Sequence, residues 1–147
     1  MQVTTIENLT DTTGLRWERL IMEFLTIIKE KGLDGENVDI ILVTDDYMRP
    51  LNKTYKQRAG TTNVLTFDLS DEFDPPGCLS GEIYVSLDSA QKQAQELGNS
   101  LGEEVLRLIL HGILHLTGMT HSTAETRQQM EEETDRLLKN LKDIACL

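Results

Sequence analysis

All three histidines of the chain fall within one eleven-residue run, HGILHLTGMTH, which begins at His111, passes through His115 and ends at His121. Residues four apart on a helix share a face one turn apart, so His111 and His115 suit a single metal ion. Gly118 then ends the helix. Glycine adopts the left-handed backbone that reverses the chain, which brings His121 back to the same point. Three neutral imidazoles without a fourth protein ligand form the donor set of a catalytic zinc site, whose open position holds water. Zinc lowers the pKa of that water to roughly 7, so hydrolysis is the expected chemistry. Imidazole also suits copper, nickel and iron, and Zn2+ is the first expectation among them. The alternative, two histidines satisfying polar groups in a core and a third at the surface, explains any one of them but not all three at this spacing.

The spacing also matches the zinc protease pattern H-E-x-x-H-x-x-G-x-x-H, in which the glutamate beside the first histidine is the general base. Here that position is Gly112. Without the carboxylate, a protease mechanism lacks the group that takes the proton from water, so peptide hydrolysis ranks low. A second constellation is cationic. Arg49, Lys53 and Lys56 recur at i, i+4 and i+7, Arg58 follows, and no acid lies between Asp46 and Asp68. Such a ridge tracks a few phosphates beside the metal. Its alternative is an ordinary solvated face paired with acids elsewhere. Glu131, Glu132 and Glu133 read as the wet face of the last helix.

These residues need elements to hold them. Leu20, Ile21, Phe24, Ile27 and Ile28 mark an amphipathic helix between Gly14 and Gly32. Val38 to Val43, Val64 to Leu69 and Ile83 to Leu87 are β-branched or aromatic-rich runs bounded by turn residues and read as strands, with Gln2 to Ile6 as a further edge strand. A helix is expected from about Asp45 to Gln57, capped by Asp45 and Asp46, with Pro50 tolerated near its first turn. Asp88 to Leu97 reads as helical. Ser100 with Glu103 and Ser122 with Glu125 are capping boxes that start two more helices, the first running to about Thr117. The pattern is α+β: a mixed four-stranded sheet with about five helices packed on it.

At 147 residues and 39% hydrophobic, the chain fits a single domain spanning 1–147. The longest apolar stretch, Val105 to Leu116, is interrupted by Arg107, His111 and His115 and falls short of the roughly 20 residues that span a bilayer, so no membrane partner is expected. No secretory signal is visible at the N-terminus, and Cys78 and Cys146 are too few for a disulfide framework, which makes a cytoplasmic protein the expectation. The net charge of -11 excludes nucleic-acid binding by bulk positive charge.

The histidine run resembles the signature H-G-x-L-H-L-x-G-Y-D-H of the YbeY endoribonucleases, bacterial ribosomal-RNA maturation factors. His111, Gly112, Leu114, His115, Leu116, Gly118 and His121 match it. Leu51-Asn52-Lys53-Thr54-Tyr55, Thr62-Asn63-Val64-Leu65-Thr66-Phe67 and Gly81-Glu82-Ile83 are similar to the family's L-N-x-x-Y-R, T-D/N-V-L-S-F and G-D-I segments. The resemblance implies three histidine metal ligands in a cleft at the end of a central helix, and cleavage of single-stranded RNA. It also implies a role in maturation and quality control of the small ribosomal subunit, with ribosomal RNA and the subunit or its proteins as partners. Three departures from the pattern stand out. Met119-Thr120 replaces Tyr-Asp, removing a carboxylate next to the last histidine. Lys56 stands where the family has arginine, so Lys56 or Arg58 is left to stabilise charge on phosphorus. Glu82 replaces the shorter aspartate, as a base or a contact for a partner. The competing readings are a ribosome assembly factor with a structural zinc and no cleavage, and an unrelated metallohydrolase or protease.

Overall fold

The structure, a computed structural model, describes residues 3–5, 17–55, 64–70, 73, 79–118 and 123–139. Four strands form one sheet: β1 (Val3–Thr5), β2 (Asn37–Val43), β3 (Val64–Asp68) and β4 (Ser80–Ser86). The three longer ones are those expected from the apolar runs, and the three-residue β1 lies at an edge. The order is β1-β2-β4-β3, with β1, β2 and β4 parallel and β3 antiparallel to β4. Five helices are described: α1 (Trp17–Glu30), α2 (Asp45–Tyr55), α3 (Leu87–Leu97), α4 (Leu101–Leu116) and α5 (Ala124–Leu138). The architecture is the expected α+β arrangement.

Strand alternation divides the core between the two faces of the sheet. On one face Val38, Ile40, Leu42, Ile83 and Val85 pack with the buried stripe of α1 and with α4 and α5. Trp17, Leu20, Ile21, Phe24, Leu25 and Ile28 form that stripe, at the helical spacing read from sequence. On the other face Ile41, Val43 and Leu65 meet Met48 of α2, with Leu51, Phe67 and Tyr84 half-buried around them. The Phe67 and Tyr84 rings meet edge-on, centroids 5.7 Å apart. Thus α2 and α4 lie on opposite sides of the sheet.

Several boundaries differ from the sequence reading for local reasons. Leu87 begins α3 instead of ending a strand, because the Ser86 hydroxyl accepts from the Ser89 amide and caps the helix one residue earlier. Asp45 and Asp46 do not cap α2. Thr44 does so, its hydroxyl accepting from the Tyr47 amide at 3.2 Å. The Asp45 carboxylate instead receives the hydroxyls of Ser86 and Ser89, both at 2.5 Å, and Asp88 accepts from the Asp45 amide at 2.9 Å. The starts of α2 and α3, each following one of two adjacent parallel strands, are therefore tied to each other. Asp46 turns to Arg49. Pro50 lies inside α2, in its second turn. Lacking an N–H, it cannot donate to the Asp46 carbonyl, which belongs to an exposed residue that water can satisfy. The last helix is capped by Thr123, not by Ser122: Thr123 and Thr126 exchange side chain and backbone bonds, a threonine hydroxyl doing what a glutamate was expected to do.

Candidate active site

The Ser100 hydroxyl accepts from the Glu103 amide at 3.1 Å and starts α4 where the sequence indicated. From there the helix runs to Leu116. Thr117 caps it, Gly118 follows at φ 100°, and the Gly118 amide returns to the His115 carbonyl at 2.9 Å. A β-branched or bulky residue is strained at that φ, so Gly118 permits the abrupt stop after the second histidine.

Three separated sequence segments converge on α4. A Cβ built on Gly112 would come within 2.8 and 2.9 Å of two Ile83 side-chain carbons and 3.0 Å of the Thr66 Oγ1. One turn further on, Leu116 lies over Gly81, its Cδ2 3.0 Å from where a Cβ would be. In the β3–β4 ladder Thr66 pairs with Ile83 and Asp68 with Gly81. Residues of the histidine run, of the Val64–Phe67 segment and of the Gly81–Ile83 segment thus share one contact. The glycine beside His111 is what lets the helix approach β3 and β4 so closely. A glutamate there would be driven into Ile83 and Thr66, so the protease base is excluded by packing as well as by composition.

Burial along α4 then sorts its residues by function. Gly102, Glu104, Val105, Leu106, Leu108, Ile109, Leu110, Gly112, Ile113 and Leu114 are buried. Between the end residues Leu101 and Leu116, solvent reaches Glu103, Arg107, His111 and His115, each four positions after the last. His111 and His115 therefore lie on one stripe, as their spacing predicted. The Nε2 atom of His111 is shut off from solvent although its residue is partly exposed. His115 is in the last turn, where the negative end of the helix dipole favours a cation by about 0.3–1 kcal/mol. Among the described residues no cluster of three or more His, Cys, Asp or Glu side chains is arranged to hold a metal ion. His121, the expected third ligand, lies outside the described residues, as do Met119, Thr120, Lys56 and Arg58.

The remaining candidates are spread out. Arg49 and Lys53 are exposed on α2, across the sheet from the histidines, and Arg49 is paired with Asp46 at 3.0 Å. Glu82 alternates with Gly81 and Ile83, which both face α4, so its side chain leaves the sheet on the α2 side. The histidines and Glu82 are not brought together. What sequence reasoning missed is an ion pair on the histidine helix: Glu104, fully buried, accepts from Arg107 at 2.8 Å (Nη2) and 3.2 Å (Nε). The signal is an acid and a base three apart inside a largely apolar helix, where the sequence alone marks Arg107 only as an interruption.

A partly exposed histidine pair on a central helix, seated by a glycine against an antiparallel strand pair, defines a small α+β protein of a recognisable kind. The family model for endoribonuclease YbeY matches residues 4–142. The chain belongs to the YbeY family. It is 37% identical to the endoribonuclease YbeY of Aquifex aeolicus, over 86% of this chain and 80% of that one. With the endoribonuclease YbeY of Carboxydothermus hydrogenoformans it shares 34% identity, covering 95% and 97% of the two chains. The solution structure of TM1509 from Thermotoga maritima superposes with a TM-score of 0.61 at 25% identity, covering 99% of this chain and 95% of that one. No helix among the described residues is long and apolar enough to cross a membrane.

Proposed function

We propose that this chain is a metal-dependent endoribonuclease that cuts single-stranded RNA, with His111, His115 and His121 holding one divalent ion. The observation that carries this reading is the stripe on α4. His111 and His115 are partly exposed on one face, and Gly118, at a φ of 100°, ends the helix directly after them. His121 is three residues past Gly118, a span of about 10 Å at most, enough to return to a point one turn back along the helix. The donor set fits zinc, since paired imidazoles at this spacing with a third from beyond the helix leave a coordination position open. An ion bound there supplies a water of lowered pKa and a Lewis acid for phosphodiester hydrolysis. The chain's own part is to hold the imidazoles in place, which the close packing of Gly112 against Ile83 and Thr66 does.

Lys56 or Arg58 steadies negative charge on phosphorus. Arg49 and Lys53 extend RNA contact around the sheet edge, and Glu82, on the other face, serves a partner contact. Membership of the family favours ribosomal RNA as substrate, with maturation and quality control of the small subunit in the cytoplasm as the setting.

The test combines metal analysis of the purified protein, a calorimetric melt and an RNA-cleavage gel on wild type and His111→Ala. The apolar core around α4 holds the helix without an ion, so the variant is expected to fold, to lose metal and to lose cleavage. A variant that unfolds would favour a structural zinc in an assembly factor, because a structural ion contributes its binding energy to folding. Wild-type cleavage by a folded, metal-free variant would refute the metallohydrolase reading. Casein digestion without RNA cleavage would point to the protease.

A further inference from the structure

Glu104 and Arg107 sit on the same helix as the histidine pair, and the burial of this acid and base is poorly explained by stability. A carboxylate with 0% exposure loses its hydration at a cost of several kcal/mol, which the attraction of a buried partner often fails to exceed. Two apolar residues would serve the packing of α4 better. The pair does accomplish one thing that apolar residues do not. Glu104 engages the Nε and Nη2 atoms of Arg107 side-on, which fixes the plane of the guanidinium. Two of the five N–H donors are used, and three remain. Arg107 itself is 24% exposed, and it occupies the step of the accessible stripe directly before His111, about 6 Å along the axis.

We infer that Arg107 binds a phosphate of the RNA strand as it passes His111, and that Glu104 is the positioning residue that holds it ready. The inference rests on the endoribonuclease reading and adds a cation to it. RNA that reaches the histidines along α4 has to pass Arg107, because the other residues in that stretch of the helix are sealed in the core. A fixed guanidinium presents paired donors to two phosphate oxygens, which lysine cannot do. Glu104 also offsets the positive charge of Arg107 beside a second cation, so both can be close to the same strand.

The experiment uses the full-length chain and a short single-stranded RNA with a fluorescent end label. Binding is measured in chelator as a function of salt, and cleavage after metal is restored. Arg107→Gln should reduce the slope of log affinity against log salt by about one phosphate contact. It should lower kcat/KM by about 10- to 100-fold, the loss of one charge-assisted hydrogen-bonded contact. Metal content should stay at the wild-type level, and Arg107→Lys should restore the salt slope but only part of the rate. Because Arg107→Gln leaves the Glu104 charge buried alone, the double variant Glu104→Gln with Arg107→Met removes both charges and keeps the fold testable. A purely structural pair predicts that cleavage recovers along with melting temperature in the double variant. A phosphate contact predicts that stability recovers and cleavage does not. An unchanged salt slope in Arg107→Gln, or recovered cleavage in the double variant, overturns the inference. If wild type with metal cuts no RNA, the endoribonuclease reading itself fails, while the salt slope of the metal-free protein still decides whether Arg107 binds phosphate.

Discussion

Gly112 shows how a single residue serves both the fold and the chemistry. The absence of its Cβ seats α4 on Ile83 and Thr66, and the same absence removes the carboxylate that a protease would need. Gly112→Ala should destabilise by about 1–3 kcal/mol, the usual cost of overpacking, read as a lower urea midpoint. Because Thr66 and Ile83 would have to shift under His111, metal affinity should fall in the same variant. Gly118 has nothing among the described residues within 4 Å of its Cβ position but a φ of 100°. Gly118→Ala should therefore cost about 1–2 kcal/mol of backbone strain. A metal titration should show weakened binding larger than the loss of stability implies, since His121 depends on the turn. Deviation in the opposite sense, strong destabilisation with intact metal binding, would separate that turn from the site.

At the scale of elements, the joint between the β2–α2 and β4–α3 turns is held by Asp45, Ser86, Ser89 and Asp88. Removing the Asp45 carboxylate strands two hydroxyls, one of them on the fully buried Ser86. Asp45→Ala should lower the calorimetric stability by about 1–3 kcal/mol, the range for leaving buried donors without an acceptor, with RNA cleavage per folded molecule unchanged. On α5, the Arg136 guanidinium donates to Glu133. That hydrogen bond, with a smaller Coulombic attraction working against slight burial, holds the Glu133 carboxyl below its ordinary range. A depressed folded-state pKa contributes stability that is present above the unfolded value and is lost as pH falls through the folded one. Glu133→Gln should thus lower stability slightly at neutral pH, and the difference from wild type should vanish as pH falls through and below the ordinary carboxylate range; the effect is small because exposed pairs contribute little.

For the whole molecule, the proposed ion held by His111, His115 and His121 would link metal binding to stability by mass action. Zinc at 100 times its dissociation constant should stabilise by about 2.7 kcal/mol, seen as a rise in melting temperature that chelator reverses and His115→Ala abolishes. The net charge of -11 sets the context for RNA. The protein repels polyanions except where cations are placed, so affinity depends on a few residues. Arg107 lies on the histidine face, while Arg49 and Lys53 are across the sheet.

Local chemistry was legible in the sequence wherever one element contained it. Helical spacing placed His111 and His115 on one face, glycine marked the end of α4, a serine–glutamate pair marked its start, and β-branched runs marked the strands. Two boundaries moved because a neighbouring hydroxyl took the cap, at Ser86 and Thr123, whereas Asp45 lost its expected role because its partners lie in another element, across the β2–β4 pair, and propensity counts only neighbours along the chain. The sidedness of the site was likewise invisible. The strand pleat turns Glu82 away from α4, and packing on opposite sheet faces separates Arg49 and Lys53 from the histidines, and neither fact has a one-dimensional signature. The position of Arg107 also needed the tertiary structure, since only burial of the other faces of α4 turns an interruption in an apolar run into the partly exposed neighbour of His111.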